Sequence, residues 1–356
     1  MSAAAAALLA GMTAAGGARG QTPAERADAL LESRVGPDEP GVAAMALVDG
    51  EVVWRGARGV ADLETGAPID ADTRFYLAST GKMFTAMAVL ALVDREVLGL
   101  DEPVTMWHDE LDYARGVTIR HLLGHLSGLP DHYDALGEDR TYSDEDVLEW
   151  LRGLAGLDFP PGEGSAYSNP GYVLLGRIVD RVTEGMFTDF LRETLFEPLG
   201  MTSTVVVDGR QGGFSRRARG YVREGDGWAL RDYESTTTGA GGVYSTLHDL
   251  ARWDAGLERV VDDSLLALAS TPALRNDGRP TPYGWGWLAE SYRPERGGVL
   301  AGREYVLAAG DLRGFRAWYQ RFREPRVTIV WLTNRGEMDV EAVEALAEMF
   351  VEAAAR

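Results

Sequence analysis

Cysteine is absent from this 356-residue chain, and its absence removes several classes of chemistry. Without thiols there are no disulfide bonds, no thiolate zinc or iron–sulfur centres and no cysteine nucleophile. Covalent catalysis would have to use a hydroxyl, amine, carboxylate, phenol or imidazole group. After the first twenty residues the chain also lacks any apolar run of about 18 residues, so the sequence predicts no membrane span.

Basic residues are in the minority, since 35 Lys and Arg oppose 55 Asp and Glu for a net charge of −20. A field of this sign repels nucleic acid and anionic membrane, and neither is expected as a partner. No phosphate-binding loop or dinucleotide fingerprint occurs, so a nucleotide cofactor has no support. With 45% hydrophobic residues, the chain predicts a globular protein with a buried core. We expect no cofactor.

Lysine is almost absent as well: Lys82 is the single lysine, and the other 34 basic residues are arginine. Arg can replace Lys as a solvated charge but not as a base, because guanidinium keeps its proton at any working pH. Lys82 closes the segment Ser79-Thr80-Gly81-Lys82. Residues i and i+3 of a helix share a face, and burial lowers the pKa of an amine, so Lys82 could accept the Ser79 proton. The alternative is that Lys82 is a random survivor.

A second candidate segment is a loop rich in proline and glycine that contains Tyr167-Ser168-Asn169 and leads into an apolar helix. The phenol of Tyr167 could relay a proton, and the amide of Asn169 could hold a substrate carbonyl. Alternatively, Tyr167 only packs its ring and Asn169 caps the helix.

Histidines and acidic residues offer weaker candidates. His121 and His125 are spaced i, i+4 and could ligate a metal with His132 or Asp131, but no HExxH arrangement is present and we expect no metal site. The run Asp144-Glu145-Asp146 follows Ser143 and is interpreted as a solvated, capped helix start.

The order of strand and helix patterns predicts a sheet built from both ends of the chain. Asp49-Gly50 predicts a tight turn between strands in 42–48 and 52–54, and 83–93 reads as a buried helix. Further strands are predicted at 305–309, 314–322 and 326–332, before a last helix at 340–355. We therefore predict a sheet domain from 23–97 and 236–356, interrupted by a mainly helical insertion at 98–235.

The first 22 residues are rich in alanine and glycine and are left out of the fold. They are similar to the apolar and small-residue parts of a secretory signal peptide but lack its charged start. They predict either export, to the periplasm or outside the cell, or a low-complexity tail on a cytoplasmic protein.

Taken together, the motifs resemble the serine β-lactamase-like family, which includes class C β-lactamases, D-Ala-D-Ala carboxypeptidases, D-aminopeptidases and related esterases. Besides S-x-x-K and Y-x-N, the stretch 122–130 (LLGHLSGLP) is similar to the family's LLxHxSGLP, and 241–250 and 283–287 match as well. The resemblance covers about residues 25–350. It implies a β-lactamase/transpeptidase-like α/β (α+β) fold, in which a mostly antiparallel sheet flanked by helices carries an inserted helical domain.

By the same resemblance, Ser79 is the acylated nucleophile, Lys82 its base partner, Tyr167 the second acid/base group and Asn169 a substrate-orienting amide. The implied function is hydrolysis of an ester or amide, in a small molecule or short peptide, through an acyl-enzyme on Ser79. No oligomeric state follows from the sequence.

One motif departs from the family pattern. Where relatives carry Lys-Thr-Gly or His-x-Gly, this chain reads Ala308-Ala309-Gly310, followed by Asp311-Leu312-Arg313. By resemblance, the Asp311 backbone donates to the oxyanion and Gly310 allows close approach, while Arg313 or Arg316 could supply the missing charge. Ala308 weighs against penicillin or D-Ala-D-Ala specificity more than against hydrolysis. It also supports an alternative, a catalytically decayed member that only binds ligands.

Overall fold

The structure is a computed structural model that describes residues 21–137, 140–209, 213–232 and 236–356. The predicted signal or tail segment lies outside the described residues, apart from its last two positions. Within the described ranges, no helix combines the length and the apolarity needed to cross a bilayer.

The described residues form strands in the first quarter of the chain and again from 205 onward. They are β1 (Val42–Val48), β2 (Glu51–Arg58), β3 (Val60–Asp62), β4 (Ala67–Pro68), β5 (Phe75–Tyr76), β6 (Val205–Val206), β7 (Tyr221–Glu224), β8 (Gly227–Leu230), β9 (Val243–Ser245), β10 (Leu288–Ser291), β11 (Glu304–Leu312), β12 (Phe315–Phe322) and β13 (Val327–Thr333). Six of them form one antiparallel sheet in the order β10-β11-β12-β13-β1-β2. The two chain ends therefore meet at β1 and β13, as the sequence predicts.

Helices flank this sheet and fill the middle of the chain. They are α1 (Pro23–Arg34), α2 (Lys82–Asp94), α3 (Ile119–Leu123), α4 (His132–Leu136), α5 (Asp144–Arg152), α6 (Asn169–Thr183), α7 (Phe187–Leu191), α8 (Glu197–Leu199), α9 (Leu247–Gly256), α10 (Asp263–Ala269) and α11 (Val340–Ala354). A 3-10 turn, Ala78–Gly81, runs directly into α2.

The β1–β2 hairpin forms for the reason that its sequence predicts. Asp49 and Gly50 both have positive φ, 52° and 81°, and such a turn matches the twist of the strands it joins. The hairpin places β2 at the edge of the sheet, beside β1, whose other neighbour is β13.

Two apolar clusters cover the two faces of the sheet. On β13, Val330 and Leu332 belong to the cluster that contains α2, while Ile329 and Trp331 belong to the cluster that contains α1 and α11. This alternation follows from the two-residue period of a strand. The residues Lys82 to Leu92 of α2 are all buried, as the apolar run predicts, and they fix the position of the first turn of the helix.

The predicted helical insertion is only partly helical. Helices α3 to α8 lie between 119 and 199, but the described residues from 201 to 235 contain β6 and the β7–β8 hairpin and no helix. The prediction of mainly helical structure is wrong for this last part. Its strands are short, and β6 pairs with β9, which follows the region in sequence. The domain boundaries at 97 and 236 remain predictions.

Candidate active site

Ser79 lies on the 3-10 turn immediately before α2, and Lys82 is the first residue of α2. Ala78 beside it has φ +47°, a left-handed conformation that costs a residue with a Cβ atom strain energy. The turn runs directly into the helix. The side chains of Ser79 and Lys82 therefore share a face, as the S-x-x-K spacing predicts.

Strand β11 passes so close to this turn that a side chain at Gly310 has no room. A Cβ atom built on Gly310 would lie 2.0 Å from the backbone oxygen of Leu77. Gly310 does not line the cleft, although the sequence predicts that it contacts the substrate. The glycine instead allows β11 to pack against the turn that carries Ser79.

A cleft of about 700 Å³ opens between β11 and the helical region. The residues lining it that bear on function are Ser79, Lys82, Asp131, Tyr167, Asn169, Tyr283, Ala308, Asp311 and Arg313. Apart from Gly310, all of the expected site residues therefore meet in one cleft. Segments up to 234 positions apart in sequence, at Ser79 and Arg313, contribute to its lining.

Two groups contact the hydroxyl of Ser79. The Tyr167 hydroxyl donates to Ser79 Oγ at 2.7 Å, and Lys82 Nζ lies 3.1 Å from the same oxygen. Ser79 thus lies between a phenol and an amine, both within proton-transfer distance.

Burial lowers the pKa of Lys82 from its ordinary 10.5 to about 7, against the opposing effect of the Asp131 charge. Nζ also lies 2.7 Å from Asn169 Oδ1 and 2.6 Å from the backbone oxygen of Ala240. Both oxygens can only accept hydrogen bonds. A neutral amine gives its two N–H groups to these oxygens, so its lone pair points at Ser79 Oγ, as a base requires.

Tyr167 has the opposite character. The residue as a whole is 37% exposed, but its hydroxyl lies against Ser79, and burial raises the pKa of the phenol well above its ordinary range. At neutral pH Tyr167 therefore keeps its proton. It is placed to donate, whereas Lys82 is placed to accept.

The oxygen and the nitrogen of the Asn169 amide both make hydrogen bonds within the protein. Its oxygen accepts from Lys82, and its nitrogen donates to Asp131 Oδ2 at 2.9 Å. Ser168 is the N-cap of α6, where its hydroxyl accepts from the N–H of Gly171, so the alternative that Asn169 caps this helix is wrong. Asn169 contacts Lys82 directly.

The histidines have structural contacts. His125 Nδ1 accepts from the backbone N–H of Ser168 at 3.2 Å, and its ring packs 4.7 Å from that of Tyr167. Burial lowers the pKa of His125 to about 3, so the ring is neutral. His121 Nδ1 accepts from the N–H of Thr118 at 3.2 Å. The part of the chain that the structure describes contains no group of three or more metal-ligating side chains.

In the motif that departs from the family pattern, Ala308 is buried and lines the cleft. Arg316 does not replace the missing charge, because its guanidinium pairs with Asp311 at 2.8 Å and donates to the backbone oxygen of Arg313. Of these two arginines, Arg313 lines the cleft and Arg316 does not.

Sequence reasoning missed the roles of two carboxylates. The sequence suggests Asp131 only as a metal ligand, yet its carboxylate accepts hydrogen bonds from Asn169. Asp144 was interpreted as a solvated helix start, and this is wrong: it accepts from the N–H and the hydroxyl of Thr238 at 3.0 and 2.6 Å, and burial raises its pKa to about 6. Thr238 belongs to the loop that supplies the Ala240 oxygen to Lys82. Neither partner is close in sequence, so no local pattern could have identified them.

Comparison with known proteins identifies the family of the chain. The beta-lactamase family matches residues 27–354. A penicillin-binding protein of Bacillus subtilis is 31% identical over 85% of this chain and 69% of its own length. The D-aminopeptidase of Gluconobacter oxydans is 28% identical over 83% of this chain, which spans only 56% of that relative. Esterase EstB of Burkholderia gladioli is 42% identical over 45% of this chain and 46% of its own length.

Solved structures agree on the fold. The D-amino acid amidase of Ochrobactrum anthropi superposes with a TM-score of 0.77 at 27% identity, covering 92% of this chain and 98% of the amidase. The predicted β-lactamase/transpeptidase-like fold is therefore confirmed, and the named relatives are hydrolases. With a family match over nearly its whole length, the chain belongs to the beta-lactamase family of serine hydrolases.

Proposed function

We propose that this protein hydrolyses esters or amides of small molecules or short peptides through an acyl-enzyme on Ser79. The observation that carries the proposal is the pair of contacts on one hydroxyl, from Tyr167 at 2.7 Å and from Lys82 at 3.1 Å. Relatives named esterase and D-aminopeptidase support both bond types. The protein needs no cofactor for these steps.

Acylation begins when neutral Lys82 takes the Ser79 proton as the hydroxyl oxygen attacks the substrate carbonyl carbon. The backbone N–H groups of Ser79 and Asp311, two residues that line the cleft, stabilise the oxyanion. The C–O or C–N bond of the substrate then breaks, and the leaving group takes a proton from the Tyr167 hydroxyl. The Lys82 ammonium then gives Tyr167 the proton that it took from Ser79.

Deacylation uses the same base and the same acid, with water in place of Ser79 as the nucleophile. Water attacks the Ser79 ester while Lys82, neutral again, receives a proton, and the Ser79 oxygen leaves with a proton from the phenol. The Lys82 ammonium then gives a proton to Tyr167, which restores both groups. Lys82 is the group that is available as a base near neutral pH, because its pKa is about 7. The pKa of Tyr167 is raised, so the phenol keeps its proton.

Ala308 favours the rival function, a binding protein without turnover, because it removes a cation that relatives place in the cleft. The contacts at Ser79 oppose that rival, since none of them involves Ala308. Loss of this cation removes a partner for a substrate carboxylate. It does not remove the nucleophile or the base.

The test is turnover of p-nitrophenyl acetate and D-alanine p-nitroanilide by the wild type and by Ser79→Ala from pH 5 to pH 9. We expect Ser79→Ala to lose about 10³-fold or more in kcat/KM on any substrate that the wild type turns over. Because only the neutral amine can act as base, wild-type kcat/KM should rise with pH through about 7 and reach a plateau above it.

Ser270→Ala is a matched control, because Ser270 lies at the end of α10 and does not line the cleft. It should keep wild-type turnover. Turnover that Ser79→Ala retains would contradict the proposal, and so would wild-type rates that decrease as the pH rises through 7. No turnover of any ester or amide by folded protein would favour the binding function.

A further inference from the structure

Asp131 is a nearly buried carboxylate at the back of the cleft, with 9% of its side chain exposed. Its Oδ2 accepts two hydrogen bonds from Asn169, from the backbone N–H at 2.7 Å and from Nδ2 at 2.9 Å. Its Oδ1 accepts from the backbone N–H of Tyr133 at 2.9 Å, as the N-cap of α4. These three N–H donors fix the carboxylate in position.

These contacts decide which way the amide of Asn169 faces. A carboxylate offers only acceptor atoms, so the NH₂ group of Asn169 must face Asp131. The amide oxygen then has to face Lys82, where it lies 2.7 Å from Nζ. If the amide were rotated by 180°, its oxygen would face the Asp131 carboxylate, and two acceptors would repel each other.

The orientation matters because a neutral amine has a single lone pair. In the rotated form, the NH₂ group of Asn169 would donate to Lys82 Nζ and occupy that lone pair. Lys82 would then turn an N–H toward Ser79 Oγ and could not accept its proton. In the observed form, the amide oxygen and the Ala240 oxygen take both N–H groups and leave the lone pair for Ser79.

We propose that Asp131 is a positioning residue of the reaction: it sets the amide orientation of Asn169 and thereby directs the lone pair of Lys82 to Ser79. Asp131 touches neither Ser79 nor the reacting atoms in this mechanism and acts through Asn169. The inference rests on the proposed function for its kinetic part. The effect of Asp131 on the protonation of Lys82 can also be tested without turnover.

Other titratable groups face Lys82 from the surrounding elements. His125 is neutral, and the phenols of Tyr167 and Tyr172 keep their protons because burial raises their pKa values. Their rings lie 4.9 Å (Tyr167) and 5.7 Å (Tyr172) from Nζ. Asp131 is therefore the negative charge that raises the pKa of Lys82.

His132 lies behind Asp131, with Nδ1 3.7 Å from Oδ1. It is fully buried, and burial lowers its pKa to about 4, so it is neutral at the pH of an assay. His132 therefore brings no positive charge that would offset the negative charge of Asp131 at neutral pH.

The experiment uses Asp131→Asn beside Asp134→Asn. Asp134 lies on the same short helix and lines the same cleft, but its carboxylate makes no hydrogen bond or ion pair with the described residues. Both substitutions remove one negative charge and preserve side-chain size. An asparagine at 131 offers one acceptor atom and one donor group, so it no longer forces the NH₂ group of Asn169 to face it.

The first readout uses the single lysine of the chain. Protein grown with ¹³Cε-lysine gives one side-chain signal, and its shift against pH reports the titration of Lys82 directly. We expect a midpoint near 7 in the wild type, an unchanged midpoint in Asp134→Asn and a midpoint at lower pH in Asp131→Asn, because loss of the Asp131 charge disfavours the ammonium.

The second readout is kcat on the plateau above pH 8, where loss of the charge alone has little effect. Asp131→Asn should lose about 10- to 100-fold in kcat with little change in KM, because misdirection of a catalytic group costs this much. Asp134→Asn should keep the wild-type kcat. Melting temperatures of both variants establish that they are folded.

An Asp131→Asn protein with the midpoint and the plateau kcat of Asp134→Asn would overturn the inference. So would a variant that loses activity only in step with its melting temperature while its lysine signal titrates as in the wild type. If no variant, the wild type included, shows turnover, the proposed function fails, while the lysine titration still decides whether Asp131 controls Lys82.

Discussion

Arginine in place of Lys82 is expected to lower kcat/KM by about 10²- to 10⁴-fold, although it keeps the positive charge. The guanidinium can still donate to the oxygens of Asn169 and Ala240, which hold Lys82 at 2.7 and 2.6 Å. It cannot lose a proton at any working pH. The variant therefore keeps the charge and the donors but has no lone pair to receive the Ser79 proton.

This substitution separates a base from an electrostatic role. If Lys82 acted only through its charge, stabilising the oxyanion or the Ser79 alkoxide, arginine would replace it at small cost. A base role allows no such replacement. Retention of more than about a tenth of wild-type kcat/KM by folded Lys82→Arg would exclude Lys82 as the base.

Lys82→Ala provides the matched comparison, since it vacates the site. Added ethylamine supplies a neutral amine and should restore part of the lost rate, more at pH 9 than at pH 7. Guanidine at the same millimolar concentration should restore none, because it remains protonated. Equal rescue by both compounds would contradict the base role.

Phenylalanine in place of Tyr167 is the second large effect that we expect, and its size should depend on the leaving group. An alkoxide or amine must gain a proton as it leaves, and Tyr167 is placed to supply it at 2.7 Å from Ser79 Oγ. Ethyl esters and alkyl amides should therefore lose about 10²- to 10⁴-fold in kcat/KM. p-Nitrophenolate leaves without a proton, so p-nitrophenyl esters should lose less than about tenfold.

Tyr283→Phe is the control for this variant. Tyr283 lines the same cleft and packs 4.6 Å from the ring of His125, but its hydroxyl makes no hydrogen bond with the described residues. It should show no dependence on the leaving group. Equal losses by Tyr167→Phe on p-nitrophenyl and ethyl esters would assign Tyr167 a positional role instead of proton donation.

The parts of the fold that were predictable depend on short-range physics. Positive φ at Asp49 and Gly50 follows from the residue types at a two-residue turn, and burial of α2 follows from its apolar run. The i, i+3 spacing of Ser79 and Lys82 is likewise local, so their shared face holds although Ser79 lies on a 3-10 turn.

The parts that were missed depend on distant segments. Asp131 acquires its partner from a residue 38 positions later, and Asp144 from a loop 94 positions later. A carboxylate at a helix start is equally compatible with solvent and with such a partner, so the residue type does not decide between them. Gly310 shows the same limit, because its close neighbour is the backbone of Leu77.

The Ala308 position illustrates what a motif can and cannot establish. Its alanine was visible in the sequence, and so was the chance that Arg316 would compensate. Only the packing of β11 and β12 shows that Arg316 is paired with Asp311 and that Arg313 lines the cleft. Which charge meets a substrate is decided by strand register and ion pairing, not by proximity in sequence.

The central claim is that Ser79 is an activated nucleophile, and intact-protein mass after incubation with a fluorophosphonate probe tests it most directly. The account predicts one adduct on the wild type, none on Ser79→Ala and an adduct on Lys82→Arg that forms at least about 100-fold more slowly. No adduct on folded wild-type protein, or an adduct that persists on Ser79→Ala, would contradict it.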